Sequence, residues 1–301
     1  MFISDLIFGF SLISEMFFGL MGNLLLLIFY MFTFLIQPHL KKPLDIIFIH
    51  LTLVNILTIM FRLLPDIMSS FGLRQFLDST GCKAFLYTYR VTRALSICTT
   101  SLLSAFQAIM ISPSNSKWAQ LKSKLSMWIS PSFFAIWIIN TVGYTPIIKT
   151  VRASSNFTVI GSVFSQAYCH ANHYGYILTT SFLYVTLTQD LLFMVLMIWS
   201  SLYMVNLLYR HHQRTQHVHS PSCSSHLYAE HKATHSILLL VSCFVLNYGS
   251  NNIILFCLIF GPKNIPRLDK INGVLSSLYP TICPYILIRN KKIIPKINSS
   301  F

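Results

Sequence analysis

Seven runs of apolar residues, each long enough to cross ~30 Å of hydrocarbon as a helix rising ~1.5 Å per residue, divide this chain. They cover residues 7–35, 44–71, 82–111, 125–148, 176–208, 236–260 and 271–288. A helix satisfies its own backbone hydrogen bonds where lipid cannot, so these runs predict seven transmembrane helices. Charged residues make up 10% of the chain, against ~25% in soluble domains, which is too few to coat a globule. The expected fold class is therefore all-α: a seven-transmembrane bundle forming one domain over residues 1–301. No cleavable signal peptide is expected, because the start of the chain lacks basic residues and runs into an apolar stretch longer than a signal's.

The formal net charge of +14 would suggest nucleic acid in a soluble protein. Here the positive residues fall mostly in short gaps between apolar runs, so they report topology and no nucleic-acid partner is expected. Seven spans put the termini on opposite sides. One set of segments holds twelve basic residues, including Lys41, Lys42, Lys117, Lys122, Lys124, Arg210, Arg214, Lys232 and Arg289, and the other holds seven. The positive-inside rule then predicts an outer N-terminus and a cytosolic C-terminus. In that topology the sequon at Asn156 lies in an outer loop and is expected to be glycosylated, whereas the sequon at Asn298 lies in the cytosolic tail. Cys82 and Cys169 are the one cysteine pair assigned to the oxidising side, so they are expected to be disulfide-bonded.

Several segments carry a more specific signal. Gly22-Asn23 lies in the first span. The third contains Arg93-Ala94-Leu95-Ser96-Ile97-Cys98-Thr99-Thr100-Ser101-Leu102-Leu103-Ser104-Ala105-Phe106-Gln107-Ala108, with Ser112-Pro113 after it. Tyr209-Arg210-His211-His212 ends the fifth, His235-Ser236-Ile237 leads to Cys243-Phe244-Val245 in the sixth, and Pro280-Thr281-Ile282-Cys283-Pro284 lies in the seventh. Over nearly the whole chain this pattern resembles the vomeronasal type-1 (pheromone) receptors among G-protein-coupled receptors. The resemblance implies a cell-membrane receptor that binds a pheromone or other small semiochemical and signals to a heterotrimeric G protein of the Gi/Go type in vomeronasal sensory neurons. No nucleophile, base and orienting group stand at a recognisable spacing, so no enzyme and no cofactor are expected. The larger rhodopsin-like pattern is altered: Phe106-Gln107-Ala108 replaces Asp-Arg-Tyr, Asn55 replaces a sodium-binding Asp, and Cys283 and Leu287 flank Pro284. These residues assign no activation switch.

An ionisable side chain inside a membrane costs a few kcal/mol, so Glu15, Arg62, Asp66, Arg90, Arg93 and Asp190 each require a partner, water or ligand. Counted from Cys82, Arg90 and Arg93 lie roughly 12 and 17 Å deep on one helix face, and Asp190 lies roughly 21 Å into the fifth span. Arg93 and Asp190 are thus expected to meet, either as a structural ion pair or as a ligand-contacting one. Tyr87, Tyr184, Asn247 and Asn251 complete the candidate pocket. Gln107, Arg210, Arg214, Lys232 and Arg289 are the candidate G-protein face.

The histidines of residues 210–235, beside Cys223, lack the paired spacing of a metal site and read as a solvated cationic loop facing anionic lipid. Two rival functions stand beside the receptor reading. A bitter-taste-type receptor shares the missing Asp-Arg-Tyr but not the third-span signature. A seven-helix channel or transporter would call for internal repeats or a stripe of acidic residues, and the sequence has neither.

Overall fold

A computed structural model describes residues 3–36, 43–73, 76–112, 119–153, 169–171, 176–216, 224–260 and 266–290. The elements in order are α1 (Ile3–Ile36), α2 (Pro43–Ser70), α3 (Ser79–Ile111), α4 (Ala119–Gly143), α5 (Pro146–Thr150), β1 (Val151–Ala153), β2 (Cys169–Ala171), α6 (Tyr176–Gln216), α7 (Ser224–Phe260) and α8 (Pro266–Asn290). The seven long helices correspond one to one with the seven apolar runs. Six are long and apolar enough to cross a membrane, and α7 carries its apolar section at Leu238–Ile254. α6 and α7 continue beyond their apolar runs to Gln216 and back to Ser224. Hydropathy marks where lipid ends, not where a helix ends.

α3 is the central post. Every residue from Val91 to Ser101 is buried, three full turns with no outward face. The outer helices carry large apolar side chains outward, among them Phe17 at 60%, Leu192 at 66% and Trp199 at 73% exposure. In water such a surface would aggregate, whereas lipid solvates it. The start of α3 is fixed by Asp78, whose carboxylate accepts from Gly81 N at 2.7 Å, so the helix begins three residues before the expected Cys82.

Two polar seams hold the bundle in register. α8 contains Pro280 and Pro284. Pro284 has no N–H to give to the carbonyl of Pro280 one turn earlier, and Asn23 Nδ2 of α1 donates to that oxygen instead, at 2.9 Å. Gly22 makes the approach possible, because a Cβ there would stand 2.8 Å from Pro284 Cγ. Tyr285 Oη completes this seam by donating to Phe18 O at 2.8 Å. The other seam centres on His50 of α2. Trp137 Nε1, a donor only, reaches His50 Nε2 at 2.8 Å, so the imidazole proton sits on Nδ1 and points to Thr99 Oγ1 at 2.9 Å. One ring thereby joins α2, α3 and α4.

The segment expected to be an outer loop contains a two-stranded antiparallel ribbon, with Ala153 opposite Cys169 and Val151 opposite Ala171. Strands of three residues are too short to show an alternating pattern in the sequence. Cys169 is bonded to Cys82 with Sγ–Sγ 1.98 Å, which fastens the ribbon over the first turn of α3. Asn156 and Asn298 lie outside the described residues, as do Lys41, Lys42, Lys117, His217, His219 and Cys223.

Candidate functional site

Midway along α3, Arg93 is 3% exposed and Asp190 of α6 is 4% exposed. Arg93 Nη1 lies 2.8 Å from Asp190 Oδ2, and Arg93 Nη2 donates to Asn252 Oδ1 of α7 at 3.3 Å. The guanidinium carbon stands 5.0 Å from the centroid of the Tyr248 ring, also of α7, so this one cation of α3 draws on two further helices. Tyr248 stacks on Phe244 at 4.2 Å, Phe244 meets Tyr279 of α8 edge-on at 4.8 Å, and Tyr279 Oη shares a 3.0 Å hydrogen bond with Thr100 Oγ1. A continuous chain of contacts therefore leads from the buried ion pair to α8 and back to α3.

On Arg93 and along α7, polar capacity is left over. Among the described residues, Arg93 Nε, Asn252 Nδ2, Asn251 Oδ1 and both amide atoms of Asn247 are buried without a hydrogen-bond partner in the protein. Asn247, Asn251 and Asn252 are 9%, 4% and 6% exposed. Each unpartnered buried polar atom costs ~1–3 kcal/mol, so these side chains are candidates for bonding a ligand.

The remaining sequence candidates divide. Tyr87 turns toward α4, where its hydroxyl donates to Thr141 O at 2.7 Å, and it takes no part in the Arg93 cluster. Tyr184 is 52% exposed on the outer flank of α6. Arg90 is half-buried one turn nearer the disulfide, with its guanidinium carbon 5.9 Å from the Tyr89 ring. Asn252 and Tyr248 were missed. Their signal was available, since they repeat the four-residue spacing of Asn247 and Asn251 one position further along the same helix.

Glu15, Arg62 and Asp66 form a further polar seam joining α1, α2 and α8. Arg62 Nη1 lies 3.2 Å from Asp66 Oδ2, Arg62 Nε donates to Ser276 Oγ at 2.7 Å, and Ser277 Oγ donates to Glu15 Oε1 at 2.9 Å.

At the end away from the disulfide, Gln107 is only 8% exposed and sits inside the bundle, contrary to its expected place on an open face. Arg210 and Arg289 are exposed near the ends of α6 and α8. Arg214 belongs to α6 and Lys232 to α7. Ser112 Oγ and Tyr203 Oη, 3.0 Å apart, tie α3 to α6 at this end. Among the described residues, no group of three His, Cys, Asp or Glu side chains could hold a metal ion.

A bundle of lipid-solvated helices with a disulfide-tied ribbon at one end and a buried polar cluster at mid-depth has the form of a multi-pass membrane receptor. Residues 6–300 match the vomeronasal organ pheromone receptor family. Human vomeronasal type-1 receptor 2 is 34% identical over 279 residues, covering 90% of this chain and 68% of that protein. Human vomeronasal type-1 receptor 4 is 32% identical over 277 residues, covering 92% of each. Olfactory receptor class A-like protein 1 of Danio rerio is 30% identical over 288 residues, covering 94% of this chain and 89% of that one. The chain belongs to the vomeronasal type-1 receptor family. Membership makes it a G-protein-coupled chemosensory receptor, a class that binds small ligands and couples to G proteins, and not an enzyme.

Proposed function

We propose that this receptor takes a pheromone or other small semiochemical into the space floored by Arg93, Asp190, Asn247, Asn251 and Asn252, and that occupancy shifts the bundle toward a state that engages a Gi/Go-type G protein. The supporting observation is that Arg93, bonded to Asp190 of α6 and Asn252 of α7, and three asparagines of α7 carry buried polar atoms without a partner. A ligand that bonds these atoms in one arrangement of the helices and not in another supplies the differential affinity that population shift requires. Residues 1–301 act as one receptor domain, with the N-terminus and the disulfide end outside, a glycan on Asn156, and Arg210, Arg214, Lys232 and Arg289 on the cytosolic face. That orientation follows from the charge asymmetry of the loops. Gln107 reaches the G protein only once the helices around it part.

In cells carrying a promiscuous G protein and challenged with a pooled odorant panel, the double variant Asn247→Leu/Asn251→Leu should lose potency about 10- to 100-fold, as for one or two lost hydrogen bonds. Its surface level should match wild type. Tyr184→Leu, on the outer flank, should leave potency within about 3-fold, as expected of a substitution away from the site. An undiminished response in the double variant would place the ligand elsewhere.

A further inference from the structure

Resting on the pocket proposed above, we infer that the group by which the ligand is anchored there is uncharged and carries both a hydrogen-bond donor and an acceptor, as a carboxamide, lactam or hydroxy-ketone does. Two observations combine. The deep charges are closed on each other: Arg93 and Asp190 lie 2.8 Å apart with side chains 4% and 6% exposed, so the floor has no net charge to offer. The capacity left over is mostly carboxamide. The donors are Asn252 Nδ2, Asn247 Nδ2 and Arg93 Nε, the acceptors are Asn251 Oδ1 and Asn247 Oδ1, and the Tyr248 hydroxyl can serve as either.

A carboxylate or sulfate placed against this floor would surrender its hydration to a neutral site and meet the Asp190 carboxylate. An ammonium would meet the same desolvation cost and the Arg93 guanidinium. Either ion has to break the existing pair to gain a counter-charge, and breaking a buried pair on one side is more costly than leaving it intact. A neutral donor–acceptor group leaves the pair in place and fills the open valences. The amide orientation of Asn252 is fixed by its acceptance from Arg93, which leaves Nδ2 as the free end. For Asn247 both ends are open, so it offers one donor and one acceptor in either orientation.

Arg90 is the cation that favours the opposite outcome. It is half-buried one turn nearer the disulfide and is the group an anionic ligand would seek.

The test uses the full-length receptor in lipid nanodiscs and a matched panel on one alicyclic skeleton: the primary carboxamide, the hydroxy-ketone, the carboxylate, the sulfate ester and the primary amine. Binding is read as a thermal shift against concentration. A neutral member should bind at least 100-fold more tightly than its charged counterparts, and Asn251→Leu or Asn252→Leu should weaken it at least 10-fold. If the carboxylate or sulfate binds best, and that preference disappears in Arg90→Gln while sensitivity to Asn251→Leu remains, the inferred ligand class is overturned and the pocket stands. If the best ligand is indifferent to Asn247, Asn251 and Asn252 alike, the pocket itself is wrong. Should none of the five bind, the ligand-free protein decides. Asn247→Leu should raise its melting temperature, since two buried atoms without a partner have been removed. A lowered melting temperature would mean the protein itself satisfies that amide, leaving no valence for a ligand, and would overturn the inference.

Discussion

Replacing Arg93 by Ala should cost about 3–5 kcal/mol of folding stability, the range for a buried ion pair broken on one side. Asp190 would be left as an unpaired carboxylate in a site where its side chain is 6% exposed, a penalty larger than the net worth of the bond itself. Asp190→Ala should be about as harmful, because it strands the guanidinium. The double change removes both charges and should regain most of the loss. Recovery stays incomplete because Asn252 Oδ1, which accepts from Arg93 at 3.3 Å, would be left open. The measurement is thermal unfolding of the detergent-purified proteins, with surface expression in cells as a second readout. Strictly additive losses would mean that the two residues do not interact, since coupled neighbours depart from additivity by ~0.5–3 kcal/mol. Whatever ligand response is missing from a well-folded double variant measures the pair's direct part in binding.

Removing the disulfide should have an effect of similar size by a different route. Cys82 and Cys169 are separated by 87 positions, and closing a loop of that length in the unfolded chain is worth roughly 4–5 kcal/mol on the chain-entropy account. Cys82→Ser should therefore give little receptor at the cell surface and a lower unfolding temperature. Cys169→Ser should match it, and the double variant should be no worse than either, because all three lose the same bond. Cys257, exposed on α7, serves as the control, and its change to Ser should stay within about 0.5 kcal/mol. Normal stability in Cys82→Ser would remove the ribbon's anchorage on α3 from the account.

How far the sequence leads depends on which coordinate is asked for. Counting residues along a helix gives depth, and depth alone put Arg93 and Asp190 at the same level, where the structure joins them. Depth does not give azimuth. Tyr87 lies six residues before Arg93, and Tyr184 six before Asp190. Six residues turn a helix by about 600°, leaving each roughly 240° away from its interior neighbour. Both tyrosines have the expected height and the wrong face. The same arithmetic keeps Arg90 within about 60° of Arg93, so it remains near the site. Tyr248 and Asn252 repeat the four-residue spacing of Asn247 and Asn251 one position further on, but which of the two rows meets Arg93 is decided only by the helix that α7 faces. Gln107 was read from a motif position, and the packing around α3 encloses it in this arrangement of the helices.

The chain of contacts from Arg93 through Tyr248 and Phe244 to Tyr279 and Thr100 gives a physical route where the motif comparison offered none. It spans α3, α7 and α8. Close-packed ring contacts repack rather than deform, so on the proposed reading a shift of Arg93 would reach α8 through α7.

The most direct test of the central claim, that this bundle converts ligand occupancy into G-protein activation, is nucleotide exchange on purified Gi/Go heterotrimer with the receptor in liposomes. Addition of a pooled mixture of uncharged carboxamides, lactams and hydroxy-ketones should accelerate loading of a GTP analogue. The same liposomes should show no ligand-dependent ion or solute flux. Flux without accelerated exchange would contradict the account and favour a channel or transporter.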